Sequence, residues 1–135
     1  MERIWSSLYK EAKKRIKVES IPPFIEYGNN TCTILADNNK IYFGISIASN
    51  SSIGRSAEKN AITMMLNDGA KYIKKMVILN ELEELIPPSE DSLDYLLELS
   101  ENEELEILLD YEKEKVVKIK ELLPNWWGTY RNKKN

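Results

Sequence analysis

Apolar side chains return every three or four residues near the start of the chain, at Ile4, Trp5, Leu8, Ala12 and Ile16. That spacing predicts an amphipathic helix over residues 3–18. Lys10, Lys13, Lys14, Arg15 and Lys17 crowd its end, where cations suit the helix dipole. Ile21-Pro22-Pro23 stops it, since proline removes a backbone donor and clashes with the preceding turn. Residues 31–36 then read as a strand, Asp37-Asn38-Asn39-Lys40 as a turn and residues 41–47 as the returning strand of a hairpin. The small polar residues 49–52 read as a loop. A helical pattern begins at Ser56 with Ala57, Ala61, Met64, Met65 and Leu66, and Asn67-Asp68-Gly69 closes it. Met76-Val77-Ile78-Leu79 is short and wholly apolar, as in a buried strand. A further helix is expected after Pro87-Pro88, with Leu93, Leu96 and Leu97 on one face. Residues 105–109 and 116–119 complete the strand candidates. Strands alternating with helices predict a three-layer α/β/α domain with a single mixed five-stranded sheet, spanning residues 1–135 as one unit.

Composition changes the picture mainly by exclusion. The 135 residues include no histidine and one cysteine, Cys32. A Ser-His-Asp triad, an imidazole metal site, an intrachain disulfide and a CxxC redox pair are therefore excluded. Acid–base chemistry near neutral pH falls to Glu, Asp, Lys or Tyr. The net charge of −3 argues against a general nucleic-acid binder. No apolar run approaches the roughly 20 residues of a membrane span, and the first residues lack the apolar core of a signal peptide. A cytoplasmic protein with neither nucleic-acid nor membrane partners is expected. Between Lys75 and Lys113 no Lys or Arg occurs, while acids run from Glu81 to Glu112, which reads as a solvated acidic face.

Candidate chemistry sits at two helix starts: Ser56-Ala57-Glu58, and Pro88-Ser89-Glu90-Asp91-Ser92. Ser56 and Ser89 are favoured N-cap residues, Glu58 in a first turn suits the dipole, and Arg55 and Lys59 flank the first segment. Cys32, inside a strand, reads as a small core residue.

In this arrangement the sequence resembles the zinc-dependent cytidine deaminases, whose blasticidin-S branch has an aromatic tail similar to Trp126-Trp127. That family carries a Cys-or-His, Ala, Glu triplet on one helix start and Pro-Cys-x-x-Cys on the next. Here the matching text is Ser-Ala-Glu and Pro-Ser-x-x-Ser. Tyr42-Phe43-Gly44, Glu58-Lys59-Asn60-Ala61, Leu93 to Leu99 and Glu121-Leu122-Leu123-Pro124 match further family elements in order. The resemblance implies a deaminase-like sandwich, a proton-shuttling glutamate at Glu58, metal-ligand positions at Ser56, Ser89 and Ser92, and pocket aromatics at Trp126 and Trp127. It also implies association into dimers or tetramers.

The departures shape the expected function. Three serine hydroxyls replace the zinc ligands, and neutral hard hydroxyls lack the charge and softness that hold zinc. No metal cofactor is expected. In the substrate loop, Gly44-Ile45-Ser46-Ile47-Ala48-Ser49 places Ser46 and Ala48 where the family uses Asn and Glu to bind ribose hydroxyls. The expectation is a pseudoenzyme or a binding module for a small nucleoside-like molecule. The alternatives are an aminohydrolase that works through Glu58 with an atypical metal site, and an oligomeric interaction subunit.

Overall fold

A computed structural model describes residues 2–49, 55–89, 92–93, 95–96 and 105–122. Its elements, in chain order, are α1 (Arg3–Lys14), β1 (Glu19–Ile21), β2 (Ile25–Ala36), β3 (Ile41–Ala48), α2 (Ala57–Asn67), β4 (Ile73–Leu79), β5 (Glu106–Asp110), β6 (Lys115–Lys118) and a final helical turn, α3 (Ile119–Leu122). Ser92, Leu93, Tyr95 and Leu96 are also helical. The leucines expected on that helix are therefore placed as far as Leu96; Leu97 lies outside the described residues.

The strands form one mixed sheet in the order β1-β2-β4-β5-β6, with β3 on the other edge of β2. Strand β4 runs parallel to β5, and the other described pairs are antiparallel. The sheet has six strands rather than the five read from the sequence. The added strand, β1, is three residues long and pairs with Ile25–Tyr27 across the Pro22-Pro23 turn. The prolines do not end the helix as expected, since α1 already stops at Lys14; they sit in the turn between β1 and β2, at the sheet edge, where proline is tolerated.

Two further boundaries move. Helix α1 ends at Lys14, with Arg15 as C-cap, short of the predicted residue 18. Ile119 opens a helical turn instead of ending β6, and its N–H donates to the Leu105 carbonyl at 2.9 Å.

Alternation along β2 builds both cores. Cys32, Ile34 and Ala36 pack with Ala57, Ala61, Ile62 and Met65 of α2. Leu35 joins Trp5, Leu8 and Ala12 of α1, with Val77, Leu79 and Leu108. Thr31 and Thr33 lie on that second face, where β-branched side chains fit a strand. Their hydroxyls donate to the Ala12 and Leu8 carbonyls at 2.8 and 2.7 Å, so no buried hydroxyl goes unpaired there. The sheet is thus covered on both faces, the three-layer arrangement the pattern predicts. On α2 the buried face is Ala57, Glu58, Ala61, Ile62 and Met65, while Met64 and Leu66 turn outward. The inward position belongs to Ile62, one residue beside the predicted stripe. Among the described residues no helix is long and apolar enough to cross a membrane.

Candidate active site

Glycine fixes the distance between α2 and the sheet. A Cβ on Gly44 would lie 2.3 Å from the Ala61 nitrogen and 2.4 Å from the Ala57 oxygen. Only a residue without a side chain lets the first turns of α2 lie directly on β3. The start of the helix is then pinned to the end of the strand. Ile47 and Arg55 exchange backbone hydrogen bonds at 2.9 and 2.7 Å, and Asn60 Nδ2 donates to the Ile45 carbonyl at 2.6 Å. The second segment is delivered by β4. The Ile86 N–H donates to the Ile78 carbonyl at 3.0 Å, which carries Pro87-Pro88-Ser89 to the end of that strand.

These two deliveries bring four predicted site residues together. Ser92 Oγ donates to Glu58 Oε2 at 2.6 Å. Ser89 Oγ donates to Ser92 Oγ at 3.0 Å, and Ser56 Oγ lies 3.2 Å from Ser92 Oγ. A hydroxyl has one proton. Ser92 gives its proton to the carboxylate, so Ser56 is the donor in the remaining contact. The Ser92 hydroxyl therefore accepts two hydrogen bonds and donates one, its full capacity. Both outer serines also cap helix starts: Ser56 Oγ accepts from the Lys59 N–H at 3.1 Å and Ser89 Oγ from the Ser92 N–H at 3.3 Å.

Burial grades across the cluster. Glu58 is 4% exposed and Ser92 fully buried, Ser56 is half-buried, and Ser89 reaches the surface. A buried carboxylate is tolerable only with donors around it; the Ser92 hydroxyl supplies one, and the place of Glu58 in the first turn of α2 sets it at the positive end of the helix dipole. Cys32 lies beneath, in the core. Burial first, and then the nearby Glu58 charge, push its thiol well above the usual range. It is thus the inert core residue its strand position suggested.

The remaining predicted positions fall differently. Ser46 Oγ accepts the Asn30 N–H at 3.0 Å, and Ala48 is exposed at the end of β3. Trp126 and Trp127 lie outside the described residues. Arg55 Nε donates to Asn60 Oδ1 at 2.7 Å, and Lys59 Nζ sits 5.4 Å from the Tyr95 ring centroid, so both cations are engaged within the chain.

Sequence reasoning missed a cleft of about 450 Å3 whose lining includes Ser20, Ile21, Phe24, Glu26, Ala48 and Ser49. Its walls come from three strands whose register no local pattern displays, although the exposed Phe24 beside two prolines was a signal.

The zinc implied by the resemblance does not fit this donor set. Its three positions carry neutral hydroxyls already hydrogen-bonded to one another and to Glu58. Zinc sites draw on thiolate, imidazole and carboxylate. Among the described residues no group of three His, Cys, Asp or Glu side chains is placed to hold a metal. What the cluster does offer is a carboxylate acceptor with adjacent hydroxyls that both donate and accept.

No family profile and no curated protein sequence matches the chain significantly. Solved structures do. Cytidine deaminase from Mycobacterium tuberculosis superposes with a TM-score of 0.77 at 18% identity, covering 94% of this chain and 99% of that one. The enzyme from Bacillus anthracis gives 0.72 at 20% identity over 97% and 95%. The Mycobacterium leprae enzyme gives 0.74 at 16% identity over 92% and 100%. Sequence motifs, topology and superposition agree that this chain has the cytidine deaminase fold.

Proposed function

We propose that the chain is a binding module on the cytidine deaminase fold, without zinc-dependent deamination, that holds a small nucleoside-like ligand by the amino edge of its base. The observation that carries this reading is the closed hydrogen-bond cluster of Ser56, Ser89 and Ser92 around Glu58. An amino-substituted heterocycle presents N–H donors beside a ring nitrogen acceptor. A carboxylate receives the former, and a serine hydroxyl meets the latter by turning its proton from its partner in the cluster to the ligand. Charge-assisted hydrogen bonds of this kind are the strong ones in a dehydrated site.

Hydrolysis asks for more than these groups supply. Water outside a metal site keeps its pKa of about 15.7. A glutamate without a metal-bound water to act on does not generate hydroxide at a useful rate.

The test uses cytosine as the probe, with calorimetry for binding and ammonia release for turnover. Cytosine binds, Glu58→Gln loses that binding while keeping the wild-type circular dichroism spectrum, and no ammonia appears with or without added zinc. Zinc-dependent ammonia release from cytosine or cytidine overturns the reading.

A further inference from the structure

We propose that the pocket between helix α1 and the end of β5 is a docking site for an arginine side chain presented by a basic segment of a partner protein. It lies on the face of the sheet that α1 covers, opposite α2 and Glu58, and is independent of the binding reading given above.

The pocket holds about 270 Å3 and is lined by Tyr9 of α1, Leu85 after β4, Tyr111, and the carboxylates of Glu83, Asp110 and Glu112. Tyr9, Leu85 and Tyr111 are only partly buried against the α1-side core. The two tyrosine rings lie against each other, centroids 4.4 Å apart and planes tilted by 35°. Among the described residues no Lys or Arg lines the pocket. Its acids belong to the stretch between Lys75 and Lys113 that lacks a basic residue.

An aromatic face beside a carboxylate holds a cation twice elsewhere in this chain. The Arg15 guanidinium lies 3.7 Å from the Phe43 ring centroid, while its Nε and Nη2 donate to Glu11 Oε1 at 3.1 and 2.8 Å. The Lys75 ammonium sits 4.8 Å from the Trp5 ring centroid and donates to Glu106 Oε1. In each case the ring and the carboxylate share one cation. Tyr9 and Tyr111 have three carboxylates in their pocket and, among the described residues, no cation over either ring. Those carboxylates keep capacity for another donor. Asp110 Oδ1 accepts the Lys113 N–H at 2.9 Å, and a carboxylate has further acceptor positions. Lys13 Nζ and Glu83 Oε2 are 3.4 Å apart with both side chains about half exposed, a pair that exchanges at little cost. Glu112 is exposed.

Size and chemistry choose the occupant. The volume falls below the roughly 300–1,000 Å3 of a small-molecule site and suits one anchored side chain. A guanidinium is planar, stacks on an aromatic face and meets carboxylates with a fork of donors; an ammonium is a point charge. Arginine is also enriched among the anchors of protein interfaces. The acidic rim steers a basic segment inward and repels an acidic one.

The test titrates the 15N-labelled full chain at low ionic strength with end-capped glycine–serine peptides. Their central residue is arginine, lysine or citrulline, the uncharged isostere of arginine. The arginine peptide should shift the amides of Tyr9, Leu85, Tyr111 and Glu112. The lysine peptide should bind about threefold more weakly and the citrulline peptide about tenfold more weakly. Tyr9→Leu keeps apolar packing and should weaken the arginine peptide about threefold. Glu112→Lys, in an exposed turn, should weaken it about tenfold. Glu121→Lys makes the same charge change in α3, whose Ile119 and Leu122 pack on the α2 side, and should leave binding unchanged. Equal weakening by the two lysine variants would reduce the effect to net charge and overturn the site. Equal affinity for the citrulline peptide, shifts confined to other residues, or no shifts at all overturn it too. Equal affinity for the lysine peptide overturns the assignment to arginine.

Discussion

Ser92 Oγ and Glu58 Oε2 sit 2.6 Å apart although 34 residues separate them in sequence. The contact joins two helix starts, and both partners are buried. Ser92→Ala removes the one described side-chain donor to that carboxylate and leaves a small void. An unsatisfied buried charge of this kind costs about 2–3 kcal/mol. Urea denaturation should show that loss for Ser92→Ala. A combined Glu58→Gln, Ser92→Ala variant should recover part of it, because the charge is gone. Equal stability of Ser92→Ala and wild type would mean that water replaces the hydroxyl at no cost.

The same cluster makes zinc affinity a matter of donor chemistry rather than of scaffold. A chain carrying Ser56→Cys, Ser89→Cys and Ser92→Cys presents three sulfurs at convergent positions, two of them at N-caps that favour thiolate. After dialysis against micromolar zinc, mass spectrometry should find about one zinc per chain in the triple variant. The unmodified protein should retain none under the same dialysis. Stoichiometric zinc in the unmodified protein would contradict the argument from hydroxyl ligands.

Much of this arrangement is legible in the sequence because it is local. Trp5, Leu8 and Ala12 are spaced for one helix face and form it; Thr31 to Ala36 read as a strand and are buried on both sides. Ser56-Ala57-Glu58 and Pro88-Ser89-x-x-Ser92 name a cluster only when the two segments are assumed to meet, which the resemblance supplied. What escaped depends on pairing. Strand β1 is three residues beside two prolines, too short for alternation to show. The cleft needs Ser20, Glu26 and Ala48 in one row, and that row is set across an irregularity in register between Tyr27 and Thr31. Ile62 rather than Met64 faces the core because the close approach at Gly44 fixes the rotation of α2.

That approach makes Gly44 and Gly69 an informative pair. Gly44→Ala drives a methyl group into the backbone of α2, and backbone gives way less readily than a side chain. Overpacking of this severity costs about 3 kcal/mol or more. Gly69 has open space around its Cβ position but a φ of +93°. Gly69→Ala therefore costs only the conformational strain, about 1–2 kcal/mol. Thermal unfolding should rank the two in that order. Gly44→Ala should also weaken cytosine binding, because Ser56 and Glu58 ride on the displaced helix.

Acid should weaken the opposite end of α2 in a predictable window. Asp68 has its carboxyl held below the usual range, first by the Tyr42 hydroxyl that donates to it and then by the Lys40 ammonium. A carboxylate whose folded pKa lies below its unfolded one adds stability above the unfolded value, near 3.8. That contribution is lost as pH falls through the folded value. Glu11, held down by Arg15, and Glu19, held down by Lys17 and Tyr27, add the same sign. Asp68→Asn should thus be less stable than wild type at pH 6, with the difference shrinking as pH falls below about 4. Urea titrations from pH 6 to pH 2 read this directly. A difference that holds constant over that range would show that Asp68 acts through packing or neutral hydrogen bonding, since only its charge disappears there.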